Sequence, residues 1–192
     1  MEKKDKVWKE NINRRKLIAK YSCGKVLDIG FGWLSNPYLI NPVGLDIEKR
    51  DKPSNYESVF TYDGNRFPFE DNSFDTVTAG ELIEHINNVG NFLTECNRVL
   101  RTGGELIIST PNPYYISEII YNLFPFKKEL NKDHITLFSR RTLKRTLDFN
   151  GFKLVKIMNN KTTIPVVGLW LNVYLSTLMT NHYIYICEKE KK

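Results

Sequence analysis

The chain has 192 residues, 41% of them hydrophobic, 26% charged and 12% aromatic, with a formal net charge of +6. That size suits one domain with a substantial core, and the composition excludes a disordered chain. The charge is segregated, with eight Lys/Arg against three Asp/Glu in residues 1–20, seven against fourteen in 21–126, and ten against three in 127–161; the acidic centre disfavours a nucleic-acid coat, while the basic flanks could draw an anionic substrate or membrane surface.

The first predicted element is a basic amphipathic helix with Val7, Ile12, Leu17 and Ile18 as its apolar positions. The preceding Glu2-Lys3-Lys4-Asp5-Lys6 lacks the apolar core of a signal peptide. Strands are expected at 25–30, 42–47, 58–62 and 74–79. A helix follows at 89–101, with Val89, Phe92, Leu93, Cys96, Val99 and Leu100 at helical spacing. Gly103-Gly104 ends it, and 105–110 reads as a strand. Pro111-Asn112-Pro113 introduces a helix at 114–124. Ser139 caps another to about residue 149, and Gly151 stops it. Strands at 153–158 and 182–188 complete an alternation that predicts an α/β fold, a mostly parallel sheet with helices on both faces. Cys23, Cys96 and Cys187 are widely spaced, which fits reduced thiols in a cytoplasmic protein.

Chemistry concentrates at the carboxyl ends of four strands. The apolar run Lys25-Val26-Leu27 ends in Asp28-Ile29-Gly30-Phe31-Gly32, a buried strand breaking into a tight turn. Glycine there lets backbone approach a ligand, and ligands of open α/β sheets bind beyond the strand ends. Val43-Gly44-Leu45-Asp46-Ile47 places a carboxylate 18 residues after Asp28, suited to the two hydroxyls of a ribose. Asp63-Gly64 offers an acceptor beside an unhindered N–H, as an adenine edge requires. Thr78-Ala79-Gly80-Glu81-Leu82-Ile83-Glu84-His85 brings ionisable groups to the cleft mouth. A dinucleotide fingerprint is missing, because Ser35 stands where its third glycine belongs.

Together with Phe67-Pro68-Phe69, Phe74-Asp75-Thr76-Val77, Arg98-Val99-Leu100-Arg101-Thr102-Gly103-Gly104 and Ser109-Thr110-Pro111-Asn112, these motifs resemble the class I S-adenosylmethionine-dependent methyltransferases. The likeness spans roughly residues 22–158 and is greatest to the small subgroup of ubiquinone-type and glycan-associated O-methyltransferases. It implies a Rossmann-like, doubly wound seven-stranded sheet with one antiparallel strand, at 182–188. It assigns S-adenosylmethionine contacts to Asp28, Gly30, Phe31, Gly32, Asp46, Ile47, Asp63, Gly64, Gly80 and Glu81. The chain departs from the family at Leu34, where a third glycine usually stands.

Oxygen acceptors usually need a proton removed, and a near-neutral imidazole suits that task. His85 is the candidate base, or else a helix-start residue holding its loop. Glu81 and Glu84 lie three apart and would share a face of a helical turn. With His85 and His134 they form a candidate divalent-cation site of the Mg/Mn/Fe class, similar to that of ubiquinone and small-RNA O-methyltransferases. Without a cation, Glu81 would contact the cofactor and His134 would shape the acceptor pocket. The implied reaction is methyl transfer to an oxygen of a small molecule, glycan or lipid-linked precursor. RNA 2′-O-methylation is the alternative enzyme, disfavoured by the want of an RNA-binding domain, and a non-catalytic cofactor-binding module is the alternative of another class. The apolar insert 162–181 carries no charged residue. It predicts a core helix, a homodimer contact or a peripheral membrane contact; its apolar run Ile164–Met179, 16 residues with Pro165, Gly168 and Asn172, falls short of the ~20 a spanning helix needs.

Overall fold

The computed structural model describes residues 2–32, 35–116, 119–120, 133–159 and 180–190. Helix α1 (Glu2–Tyr21) leads into strands β1 (Val26–Ile29), β2 (Val43–Asp46), β3 (Ser58–Thr61) and β4 (Phe74–Gly80). Helix α2 (Val89–Val99), strand β5 (Leu100–Pro111), helix α3 (Arg140–Phe149) and strands β6 (Phe152–Asn159) and β7 (His182–Lys189) follow. The seven strands lie in the order β3-β2-β1-β4-β5-β7-β6. All neighbours are parallel except β7, which runs antiparallel to both β5 and β6. The mostly parallel, Rossmann-like sheet expected from the motifs is therefore present.

All four residues of β1, and all four of β2, are buried, as strands covered on both faces must be. On one face Leu27, Leu45, Val77, Leu106 and Ile108 pack with Phe92, Leu93 and Cys96 of α2 and with Leu143 and Leu147 of α3. On the other face Ile107, Ile184 and Ile186 pack with Ile18 of α1. Side-chain caps start both shorter helices. Asn88 accepts from Asn91 N at 3.1 Å, and Ser139 Oγ accepts from Thr142 N at 3.1 Å. Cys96 and Cys187 are buried free thiols, and Cys23 is an exposed one.

Three local expectations are revised. The expected helix 89–101 ends two residues early, because Leu100 already pairs with Phe74. The next pair is Thr76 with Glu105, so Arg101-Thr102-Gly103-Gly104 forms an irregularity in the strand. Gly104 is required there, since a Cβ would come within 2.9 Å of the carbonyls of Arg101 and Asp75. Secondly, β1 connects to β2, and β2 to β3, without a helix among the described residues. Those connections contain Pro37, Pro42 and Pro53, which interrupt helical hydrogen bonding. Thirdly, Glu81 and Glu84 do not stand on one helical turn, because Glu81 is left-handed and precedes the turn Ile83–His85. The expected helix 114–124 is described only at its start, where Asn112 Oδ1 accepts from Tyr114 N at 3.0 Å. Leu34 and nearly all of the insert 162–181 lie outside the described residues, and no described helix is long and apolar enough to cross a membrane.

The Phe67-Pro68-Phe69 motif is held by Arg98. Its Nε and Nη2 grip the two oxygens of Glu95 at 2.8 and 2.7 Å. Nη1 donates to Phe69 O at 2.7 Å and to Asp71 at 2.8 Å, and Nη2 donates also to Phe67 O at 3.0 Å. Glu95 in turn accepts from Phe67 N at 2.8 Å. One guanidinium thus fastens the loop after β3 to α2, ahead of β4.

Candidate active site

The β1 turn opens the cleft. Gly30 and Gly32 have φ of 66° and 54°, the left-handed region that glycine enters without steric cost. The two differ in what they face. A Cβ on Gly30 would come within 2.6 Å of Leu82, whereas one on Gly32 would meet nothing closer than 3.9 Å. Gly30 is there for packing, and Gly32 leaves the cleft clear. Asp28 lies beneath the turn and is buried. Thr78 Oγ1 donates to its Oδ1 at 2.6 Å, and the Tyr56 hydroxyl donates to its Oδ2. Burial pushes its carboxyl above the usual range, against the pull of those two hydroxyls. Both oxygens are engaged by protein donors, which makes Asp28 a tie between β1, β4 and the 53–57 turn.

Asp46, at the end of β2, accepts from Gly32 N at 3.1 Å and from Glu48 N at 3.0 Å. Next to it Ile47 is 63% exposed, an apolar surface at the rim. Asp63 accepts from Asn65 N at 2.9 Å and Arg66 N at 3.3 Å, and these backbone donors hold its carboxyl below its usual value. Gly64 has φ of 84°, and a Cβ there would meet nothing within 4 Å. A solvent-open pocket beside the β1 turn is lined in part by Arg14, Arg15, Asp28, Gly30, Phe31 and Gly80.

Arg14 is the residue that sequence reasoning missed. It is 7% exposed and donates from Nη1 to Ser109 Oγ at 3.0 Å. Its Nε has no hydrogen-bond partner among the described residues. The available signal was its position four residues before Ile18, on the face of α1 that meets the sheet. Glu81, at the end of β4, adopts φ of 56°. That left-handed residue precedes the short helical turn Ile83–His85, and its carboxylate lies beside Arg14 of α1. Glu81 accepts from Ser109 Oγ at 2.9 Å and lies 2.7 Å from His182 Nδ1. Burial alone would raise its carboxyl, yet His182, Arg14 and Ser109 hold it below its usual value.

A second focus forms a few residues beyond the β4 end. Glu84, His85 and His134 bring potential ligand atoms within 4.8 Å of one another. Glu81, the fourth predicted ligand, stands outside this group. The join is a backbone one: Ile135 N and Thr136 N both donate to Glu84 O, at 2.9 and 3.2 Å. The imidazoles of His85 and His134 meet edge to face with centroids 4.9 Å apart. His85 Nδ1 lies 2.8 Å from Asp133 O, a contact that leaves Nε2 directed elsewhere. Glu84 is buried; Thr110 Oγ1 donates to its Oε2 at 3.1 Å, and Oε1 has no hydrogen-bond partner among the described residues. Burial and the charge of Glu81 push its carboxyl up to about 8. Burial, then the neighbouring His85, holds the His134 imidazole below its usual value.

A family model described as a methyltransferase domain matches residues 2–157. The rat mitochondrial ubiquinone biosynthesis O-methyltransferase is 41% identical over 51 residues, 27% of this chain and 15% of that enzyme. Similarity to the demethylmenaquinone methyltransferase of Staphylococcus carnosus is lower but longer, 27% identity covering 79% of this chain and 76% of that one. The match thus spans less than two thirds of the rat relative and about three quarters of the bacterial one. Among solved structures, a methyltransferase from Methanosarcina mazei superposes with a TM-score of 0.64 at 16% identity, covering 92% of this chain and 98% of that one, which is a likeness of fold. With its motifs at the strand ends, its sheet order and a family match over residues 2–157, the chain belongs to the class I S-adenosylmethionine-dependent methyltransferase family.

Proposed function

We propose that this protein transfers the methyl group of S-adenosylmethionine to an oxygen of a small molecule, glycan or lipid-linked precursor. The observation that carries the choice of oxygen is the Glu84–His85–His134 cluster beside the cofactor cleft. An oxygen acceptor must lose a proton, and this cluster is built to take one or to polarise the group that carries it.

The residues present fit the cofactor. The orphaned Nε of Arg14 gives a carboxylate a donor within a buried cation, and the space over Gly32 and Gly64 is what a Cβ would fill. Arg14 would hold the amino-acid end, Asp46 the ribose and the Asp63-Gly64 turn the adenine. The cofactor supplies an electrophilic methyl on a sulfonium, a good leaving group. The work left to the chain is to align donor and acceptor, which can contribute about 7–11 kcal/mol, and to move the acceptor proton. His85, its ring fixed against Asp133 O, presents Nε2 for that proton. The same cluster fits a divalent cation of the Mn/Fe/Mg class, with Glu84 Oε1 and the two imidazoles as ligands. Such a cation would supply Lewis acidity toward the acceptor oxygen.

Two outcomes test this reading. Arg14→Gln and Asp46→Ala should each weaken S-adenosylhomocysteine binding by about 1.5–3 kcal/mol, the scale of a lost charge-assisted hydrogen bond. Calorimetric titration measures it, and a wild-type protein that binds neither S-adenosylhomocysteine nor S-adenosylmethionine would end the proposal. For the acceptor, the intact chain is incubated with methyl-labelled S-adenosylmethionine and cell extract separated into small-molecule, glycan, lipid and RNA pools. Label is expected in one of the first three, should fall with EDTA and should return with Mn²⁺ or Mg²⁺. Label in RNA alone would replace the small-molecule acceptor by the RNA one.

A further inference from the structure

The strained pose of Glu81 has a second partner that the methyl-transfer reading does not use. A non-glycine residue at φ of 56° persists only when its surroundings hold it. Glu81 is held through its backbone, since its N–H donates to Ser109 O at 2.9 Å and reaches Ser109 Oγ at 3.1 Å. This pose suspends the carboxylate between two groups from distant parts of the chain. On one side His182 Nδ1 is 2.7 Å from Oε2. On the other Arg14 Nη1 is 4.0 Å from Oε1. By distance Glu81 is ion-paired with His182, whose Nδ1 lacks hydrogen-bond alignment toward it, and is only adjacent to Arg14. Arg14 spends Nη1 on the Ser109 hydroxyl and keeps Nε without a hydrogen-bond partner among the described residues.

A buried guanidinium and a carboxylate only 21% exposed attract across 4 Å, because water screens them only in part. If nothing opposed it, the carboxylate would close on the guanidinium and occupy the donors a ligand needs. We propose that His182 is a positioning residue that reserves Arg14 for the cofactor, by holding Glu81 away from a tight ion pair with it. The inference rests on the reading of Arg14 as receptor for the carboxylate of the cofactor. His182 reaches this place because β7 is antiparallel to β5. That register sets His182 opposite Pro111, and Asn112 N donates to Asn181 O at 2.8 Å, fixing the entry of β7 at the end of β5. A residue 101 positions beyond Glu81 thereby tunes the cofactor end of the cleft.

The test is calorimetric titration of the intact chain with S-adenosylhomocysteine, which has the carboxylate but no methyl to transfer. His182→Ala should bind about ten-fold more weakly, because Glu81 is then held off Arg14 only by the Ser109 hydroxyl that the two share. His182→Asn, whose amide nitrogen falls near the position of Nδ1, should stay within about three-fold of wild type. The decisive variant is His182→Ala combined with Glu81→Gln. An uncharged amide does not compete for Arg14, so binding should return to within about three-fold of wild type. A histidine that merely supported the fold would give the opposite result, with the double variant as weak as His182→Ala or weaker. That result, or His182→Ala binding like wild type with its thermal transition intact, overturns the proposal. If Arg14→Gln binds like wild type, the assignment of Arg14 fails first and the inference falls with it.

Discussion

Replacing Arg98 by Met should destabilise the protein by about 3–5 kcal/mol, the cost of leaving a buried charge unpaired. Arg98 and Glu95 side chains are 16% and 10% exposed, so their fork-to-fork pair is largely withdrawn from solvent. Removing the guanidinium takes away two of the three short contacts of Glu95 and leaves only Phe67 N. It also leaves the carbonyls of Phe67 and Phe69 without the donors that fix the loop. Methionine fills much the same space, so the loss reports charge and hydrogen bonding rather than a cavity. Urea denaturation measures it, and a change under about 1 kcal/mol would show that the loop holds without Arg98. The cause can be separated from the packing. Combining Arg98→Met with Glu95→Leu removes the orphaned carboxylate, and the double variant should recover part of the loss.

Replacing Glu84 by Gln should have an effect whose sign depends on pH. In the folded, cation-free protein the Glu84 carboxyl is pushed up to about 8, first by burial and then by the charge of Glu81. A carboxyl raised in this way binds its proton more tightly in the folded than in the unfolded chain. Its stabilising contribution is therefore complete below the unfolded value near 4.5 and is lost as pH rises through 8. In EDTA, wild type should lose on the order of 2–4 kcal/mol between pH 5 and pH 9 from this group. Glu84→Gln should lack that part of the pH dependence and be the more stable protein at pH 9. A divalent cation reverses the comparison. Mn²⁺ needs the deprotonated carboxylate, so it should stabilise wild type increasingly at alkaline pH and leave the variant unchanged. Thermal denaturation of both proteins at pH 6 and pH 9, with EDTA and with Mn²⁺, supplies the four comparisons. A variant that shares the wild-type pH slope in EDTA would remove Glu84 as its origin. A variant that responds to Mn²⁺ as wild type does would move the cation elsewhere.

Local sequence determined most of the fold, since strand ends and helix starts are written in nearest neighbours. Buried parallel strands read as apolar runs, and β1, β2 and β4 fall where such runs occur. Asn88 is a cap the sequence reading did not use, yet Phe92, Leu93, Cys96 and Val99 placed α2 by their spacing alone. The strand-end carboxylates were legible for the same reason, because a parallel sheet puts the end of every strand on one edge. The proximity of His85 and His134 also followed from chain order, as one lies after β4 and the other precedes α3.

Other features were settled only by tertiary packing. Glu81 and Glu84 looked like neighbours on a helical turn, yet a left-handed backbone at Glu81, pinned by Ser109, keeps Glu81 out of the turn that carries Glu84 and beside Arg14 and His182. The role of Asp28 was hidden because its donors, Tyr56 and Thr78, come from 28 and 50 residues away. Arg14 looked like one more solvated lysine or arginine of a basic helix until α1 lay down across the cleft. His182 gave no sequence signal at all, since only the antiparallel register of β7 carries it to Glu81. Sequence fixes what each segment is through short-range sterics and hydrophobic period. Which charges meet depends on strand order and register, and those are decided by burial of the whole sheet at once.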